Sequence, residues 1–196
     1  MTPLQEILVG DLRVLVLANE TSLIPFLVAW DALALACKRP FCAPAWMLAW
    51  WQFAATGNSS LRVAVVIEDE RVIGIGPFFA QVSRRLNELR LLSAGFAHRI
   101  GPLALPEDEE RVARALAEGL AATRPAPASV VFEGVDAADR WPELVAKAWP
   151  GRGARLRTDL VMEAPAIDLN RSYETWLQRR TRNFRKLERR TGRRLE

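Results

Sequence analysis

The chain has 196 residues, half of them apolar and 26% charged, with 27 basic against 23 acidic side chains. That composition excludes a disordered tail and predicts a sizeable core. The charge is uneven: residues 171–196 hold ten basic and three acidic side chains, while the rest hold 17 and 20. The sequence therefore predicts a mildly acidic globular domain over 1–170 and a basic segment over 171–196.

The N-terminus has no basic stretch, and Asp11 interrupts its apolar run, so no signal peptide is expected. The charge-poor run Pro40–Leu61 contains an apolar part, Ala43–Ala55, of about 13 residues, short of the ~20 that a membrane span needs. A cytoplasmic protein without a membrane span is expected. Cys37 and Cys42 read as reduced, half-buried thiols. With a single histidine, His98, they build no zinc site, so no metal is expected.

Leu12–Leu17 reads as a first strand. Asn19 to Ser22 offers helix caps, and Leu23, Phe26, Leu27, Trp30, Leu33, Ala34 and Cys37 follow at helical spacing, predicting a helix over 22–37. Arg39-Pro40 breaks it. A second helix runs from Pro44 to Gly57, with Trp46, Trp50 and Phe53 on one face that is expected to enter the core. Trp51 lies off that stripe and is a candidate to face a partner or a groove. Leu61–Ile67 and Val72–Val82 read as a hairpin around the polar turn Glu68–Arg71. Leu89–Leu92 is a third strand, and 95–105 is irregular.

A helix over Glu107–Thr123 opens on four acids, Glu107 to Glu110, which suits its dipole. Pro125 and Pro127 end it. Ser129–Glu133 reads as a strand, Asp136–Trp149 as a helix, Arg155–Met162 as a strand and Ala164–Leu169 as extended chain. A long helix then starts near Ser172 and runs to the end. The order β-α-α-β-β-β-α-β-α-β-α predicts an α/β (α+β) fold, with a mixed central sheet and helices on both faces.

Several stretches carry a family resemblance. Trp30-Asp-Ala-Leu33 is followed by Pro40-Phe41-Cys42-Ala43-Pro44-Ala45-Trp46. Val72-Ile-Gly-Ile-Gly-Pro-Phe-Phe79 comes next, then Ser172-Tyr-Glu-Thr-Trp-Leu-Gln-Arg-Arg180 and Arg182-Asn-Phe-Arg-Lys186. With the element order, these resemble the GNAT acyl-CoA N-acyltransferases, in particular their CelD/BcsL-type group, with a more distant similarity to FemABX aminoacyltransferases. The resemblance implies a GNAT fold and transfer of an acyl group from acetyl-CoA or another acyl-CoA to a small-molecule, saccharide or amine acceptor. The setting it implies is cellulose or exopolysaccharide biosynthesis. Proteins of that group usually run to twice this length as two GNAT-like halves, with the basic helix opening the second. This chain then corresponds to a degenerate N-terminal half, and its partner is a second GNAT-like half or another copy of itself.

The acetyl-CoA signature of ordinary GNAT enzymes, [Gln/Arg]-x-x-Gly-x-[Gly/Ala], has one literal match, Arg71-Val-Ile-Gly74-Ile-Gly76. It falls in a predicted strand, where glycines serve close packing. The place expected for the pyrophosphate, ahead of the helix at Glu107, carries Pro102, Pro106 and four carboxylates. These remove donors and repel an anion. His98, Glu133, Asp136 and Ser59-Ser60 lack the surroundings that a base or nucleophile needs, and read as solvated or capping residues.

The final helix is amphipathic. At 100° per residue, Tyr173, Leu177, Phe184, Leu187, Thr191 and Leu195 fall within roughly 80° of one stripe, and most arginines fall opposite. Only Arg180 intrudes into the stripe. If coenzyme phosphate is contacted by this chain at all, Arg179, Arg182, Asn183 and Lys186 are the candidates. Two alternatives remain: a non-catalytic GNAT-like interaction module, and nucleic-acid binding through the Arg-rich helix, which is the less favoured.

Overall fold

The computed structural model describes residues 3–83, 86–151, 153–160, 170 and 172–192. The chain divides into two compact units, Met1–Thr158 and Asp159–Glu196.

In the first unit, β1 (Gln5–Val9) and β2 (Leu12–Leu17) form a hairpin around Gly10, whose φ of 64° suits a glycine turn. The sequence reading missed β1, an edge strand with alternating burial. Asn19 caps α1 (Glu20–Leu23) by accepting the Ser22 amide at 2.9 Å. A 3₁₀ turn containing Pro25 separates α1 from α2 (Leu27–Ala36), so the single helix expected over 22–37 is in three pieces. Helix α3 (Pro44–Ala54) follows a second 3₁₀ turn at Pro40–Cys42.

Strands β3 (Ser59–Glu68) and β4 (Arg71–Ser83) form the expected hairpin. Asp69 and Glu70 both have positive φ at its tip, the conformation of a type I′ turn. Strand β5 (Leu86–Leu91) pairs antiparallel with β4, and the two-residue β6 (Leu103–Ala104) pairs with β4 further along. Then come α4 (Glu109–Ala121), β7 (Ser129–Val131) and α5 (Trp141–Ala148). Strand β7 lies parallel to β5, and the described sheet runs β1-β2-β3-β4-β5-β7.

The sheet is mixed and carries helices on both faces, as the sequence predicts. Gly74, Gly76 and Val14 face α4: a Cβ on Gly74 would overlap the Val112 side chain, and one on Gly76 would lie 2.7 Å from Leu116 Cδ2. Alternation sends Phe79 to the opposite face, where Trp50 and Trp51 of α3 pack on it with ring centroids 5.3 and 6.1 Å away. Helix α2 packs on β4 as well, and its Leu33 and Ala36 line a cavity together with Ile73.

Two expectations are corrected here. Residues 155–160 form no strand; Leu156 and Leu160 are exposed, and no described strand pairs with them. Residues 161–162 and the extended stretch over 164–169 lie outside the described residues. The face of α3 is also turned in part: Trp50 packs on the core as expected, but Trp51, expected to face a partner or a groove, packs there too. Met47 is fully buried, whereas Trp46 is 43% and Phe53 88% exposed. Helical spacing shows which residues share a side, but this helix is apolar all round, so nothing in its pattern marks the inner side.

In the second unit, Ser172 caps α6 (Tyr173–Gln178), and α7 (Arg182–Gly192) follows. The single long helix expected from Ser172 is broken at residues 179–181. The hydroxyl of Thr181 accepts the Phe184 amide at 3.2 Å and starts a new helix. The break folds the segment onto an aromatic cluster. Tyr173 stacks on Trp176, and Trp176 meets Phe184 edge-on, each pair at 5.7 Å. Arg180, the residue that intrudes into the expected apolar stripe, lies 4.4 Å over the Trp176 ring. On a continuous helix Trp176 falls off the apolar stripe; the break is what brings it to Phe184.

Candidate functional site

In open α/β sheets, ligands sit beyond the carboxyl ends of parallel strands. Here that place is formed by residues 92–102 after β5 and 132–140 after β7. Three acids follow β7 at spacings of three, and each is held by an arginine from elsewhere. Arg90 pairs with Glu133, and Arg99 Nε donates to Asp136 at 2.9 Å. Arg39 Nη2 donates to Asp139 at 2.7 Å. The two loops close on each other: the Ile100 amide donates to the Gly134 carbonyl at 3.3 Å, and a Cβ on Gly134 would lie 2.6 Å from the Ala97 carbonyl oxygen. His98 is exposed on its loop and has no carboxylate partner among the described residues. Ser93 is fully buried with φ at 67°, and its hydroxyl has no partner among the described residues. A buried hydroxyl of this kind has no signature in the sequence.

The segment Cys37–Cys42, which overlaps the Pro40–Trp46 stretch at Pro40–Cys42, ties α2 and α3 to β6 and the loop before it. Trp30 Nε1 donates to the Cys42 carbonyl at 2.8 Å. The Cys37 thiol donates to the Ala104 carbonyl at 3.2 Å, and the Cys42 thiol to the Gly101 carbonyl at 3.6 Å. Both cysteines are free. Burial pushes the Cys42 thiol up from 9.0 to about 11, and burial also raises Cys37. The motif's work here is structural.

The place expected for a pyrophosphate is the start of α4, and the residues there do not fit one. Leu103 and Ala104 are in register with Ile75 and Gly74 of β4. Pro102 and Pro106 have no N–H. Asp108 is buried and bonded to Arg111 at 3.3 Å; Arg111 also bonds Asp11 at 2.9 Å and pairs with Glu68. Arg140 reaches Glu109 at 3.7 Å and Glu110 at 3.0 Å. The helix end is already covered by this chain's own carboxylates and arginines. The literal signature at Arg71–Gly76 lies within β4, and its glycines admit Val112 and Leu116.

The four candidate phosphate contacts lie in the second unit. Arg179 ends α6, while Arg182, Asn183 and Lys186 stand on α7. All four are exposed and have no side-chain partner among the described residues. Arg182, Lys186 and Arg189 fall within about 60° of one another on α7, opposite Phe184, Leu187 and Thr191. Arg179 is separated from them by the break at 179–181. Guanidinium and ammonium groups are chemically suited to phosphate.

No protein-family model and no curated protein sequence matches the chain. Among solved structures, a GNAT family acetyltransferase from Staphylococcus aureus subsp. aureus is similar to it with a TM-score of 0.42 and 10% identity, over 75% of this chain and 98% of that one. Among the described residues, no helix is long and apolar enough to cross a membrane, and no three His, Cys, Asp or Glu side chains gather as a metal ligand set.

Proposed function

We propose that the chain is a GNAT-type module serving acyl-CoA-dependent transfer to an amine or hydroxyl acceptor, and that its globular unit is a non-catalytic half. The start of α4 carries this reading. Pro102 and Pro106 offer no donor there, the Asp108 amide is spent on the Leu105 carbonyl, and the carboxylates of Asp108, Glu109 and Glu110, which would repel a diphosphate, already hold Arg111 and Arg140. With Glu133, Asp136 and Asp139 each bound by an arginine, no carboxylate among the described residues after β5 and β7 is left poised as a base. In this reading Arg179, Arg182, Asn183 and Lys186 are the contacts offered to coenzyme phosphates. The acceptor class and the exopolysaccharide setting rest on the sequence resemblance alone.

Thermal shift of the whole chain with acetyl-CoA tests the proposal. Any stabilisation is expected to vanish in Arg182→Glu/Lys186→Glu and to persist in Glu109→Gln/Glu110→Gln. Turnover of acetyl-CoA by the chain alone overturns it, as does a shift that depends on residues 107–110.

A further inference from the structure

Helices α2 and α3 form one layer on one face of the sheet, and their outer side is apolar. Asp31 is the one charged residue of α2, and α3 has none. Ile24, Val28 and Leu35 stand out from the first helical stretch, and Val28 and Leu35 share a side, being two turns apart. Trp46 and Phe53 repeat that spacing on α3, and Phe41 packs edge-on against Trp46 at 5.2 Å. These six side chains are between 43% and 88% exposed. Together they expose on the order of 700 Å² of largely apolar surface, near the ~800 Å² per partner of a standard interface and above the roughly 300–600 Å² patch of an ordinary monomer.

We propose that this face is a two-fold interface between copies of this chain. A second copy fits for two reasons. The area matches what a stable dimer buries on each side. The face also carries little charge to bury: Asp31, beside Val28 and Leu35, is the one charged side chain on the two helices, and an isologous contact is met with that carboxylate at the rim. A lipid surface fits less well: residues 1–158 hold seventeen basic and seventeen acidic side chains, so no net charge draws this unit to anionic lipid. The proposal is independent of where coenzyme phosphate binds.

Sedimentation of the full chain tests it. At micromolar concentration the protein is expected to sediment at twice its 22.0 kDa chain mass. Val28→Asp/Phe53→Asp is expected to return it to a monomer with an unchanged melting profile, because both side chains are exposed in the isolated chain. Leu35→Lys/Trp46→Lys should do the same, and Leu8→Asp, at an exposed position on β1, should leave the dimer intact. A wild-type monomer overturns the proposal, as does a dimer indifferent to both double variants. A monomer that floats with phosphatidylcholine vesicles until Val28 and Phe53 are changed also overturns it and gives the face to a bilayer.

Discussion

Arg39 and Asp139 lie 100 residues apart and meet in an ion pair of 2.7 Å, with the Asp139 side chain 2% exposed. The pair pins the α2–α3 connection to the start of α5. The second oxygen of Asp139 accepts the Trp141 amide at 3.1 Å, and Gly101 makes room: a Cβ there would lie 2.7 Å from Arg39 Nη1. Substituting one partner strands the other out of water. Asp139→Ala is expected to cost about 2–4 kcal/mol, more than Arg71→Ala, whose exposed guanidinium pairs with Glu68 and whose loss costs about 1 kcal/mol or less. Urea denaturation of the two variants measures the difference.

Gly74 and Gly76 bring α4 down onto β4, but they differ in what they touch. A Cβ on Gly74 would run into both methyls of Val112 and lies 3.2 Å from its Cβ, a stiff β-branched neighbour. The Cβ at Gly76 would meet Leu116 Cδ2, the far end of a flexible chain, at 2.7 Å, and the edge of the Phe78 ring only at 3.2 Å. Gly74→Ala is expected to lose about 1–3 kcal/mol and Gly76→Ala clearly less, as read from thermal unfolding midpoints. Equal losses would mean that the helix moves as a body and that the two contacts are not separate.

Much of the sheet is legible in the sequence because its signals are local. The polar turn Glu68–Arg71 between β-branched runs marks the β3–β4 hairpin, and Leu12–Leu17 reads as a strand without help. Helix α4 is equally plain, since its apolar positions recur against a charged background. Leu103–Ala104 is too short to carry a pattern, and it is a strand only because β4 lies beside it. Residues 155–160 alternate as a strand should, yet find no sheet edge among the described residues. The site divides in the same way. The acids at the start of α4 announce that a diphosphate is unwelcome, and Asp108–Arg111 is a legible i,i+3 pair, but the reach of Arg140 to Glu109 and Glu110 is invisible in one sequence. The break at Thr181 does have a signal: a threonine three residues before Phe184 is a possible cap, masked by the helical spacing on either side.

The second unit depends on Trp176. It carries contacts to Tyr173, Phe184 and Arg180, and Tyr173 donates its hydroxyl proton to Glu188 at 2.7 Å. That bond joins α6 to α7. Trp176→Ala is expected to raise amide exchange throughout 173–192 while leaving β2–β4 protected. Arg180→Ala removes only the cation over the ring and should cost about 0.5–1 kcal/mol. Exchange mass spectrometry resolves the two. Unchanged protection of α7 in Trp176→Ala would show that the cluster does not hold the pair of helices together.

Cys42 makes stability depend on alkaline pH. Its thiol is buried, and burial moves it from 9.0 to about 11 in the folded chain. The folded state therefore binds the proton more tightly than the unfolded state. This contribution is complete below pH 9 and is lost as pH rises through about 11. Cys42→Ala is expected to be less stable than wild type near neutrality, because it empties packed space and gives up the bond to Gly101. Its stability should, however, fall less between pH 9 and 11. The same burial separates the two thiols chemically. In native protein at pH 8, Ellman's reagent should titrate the half-buried Cys37 slowly and Cys42 only after denaturant is added. Rapid titration of both thiols in the native state would show that the Cys37–Cys42 segment opens without global unfolding, and that the clamp on the loop before β6 is loose.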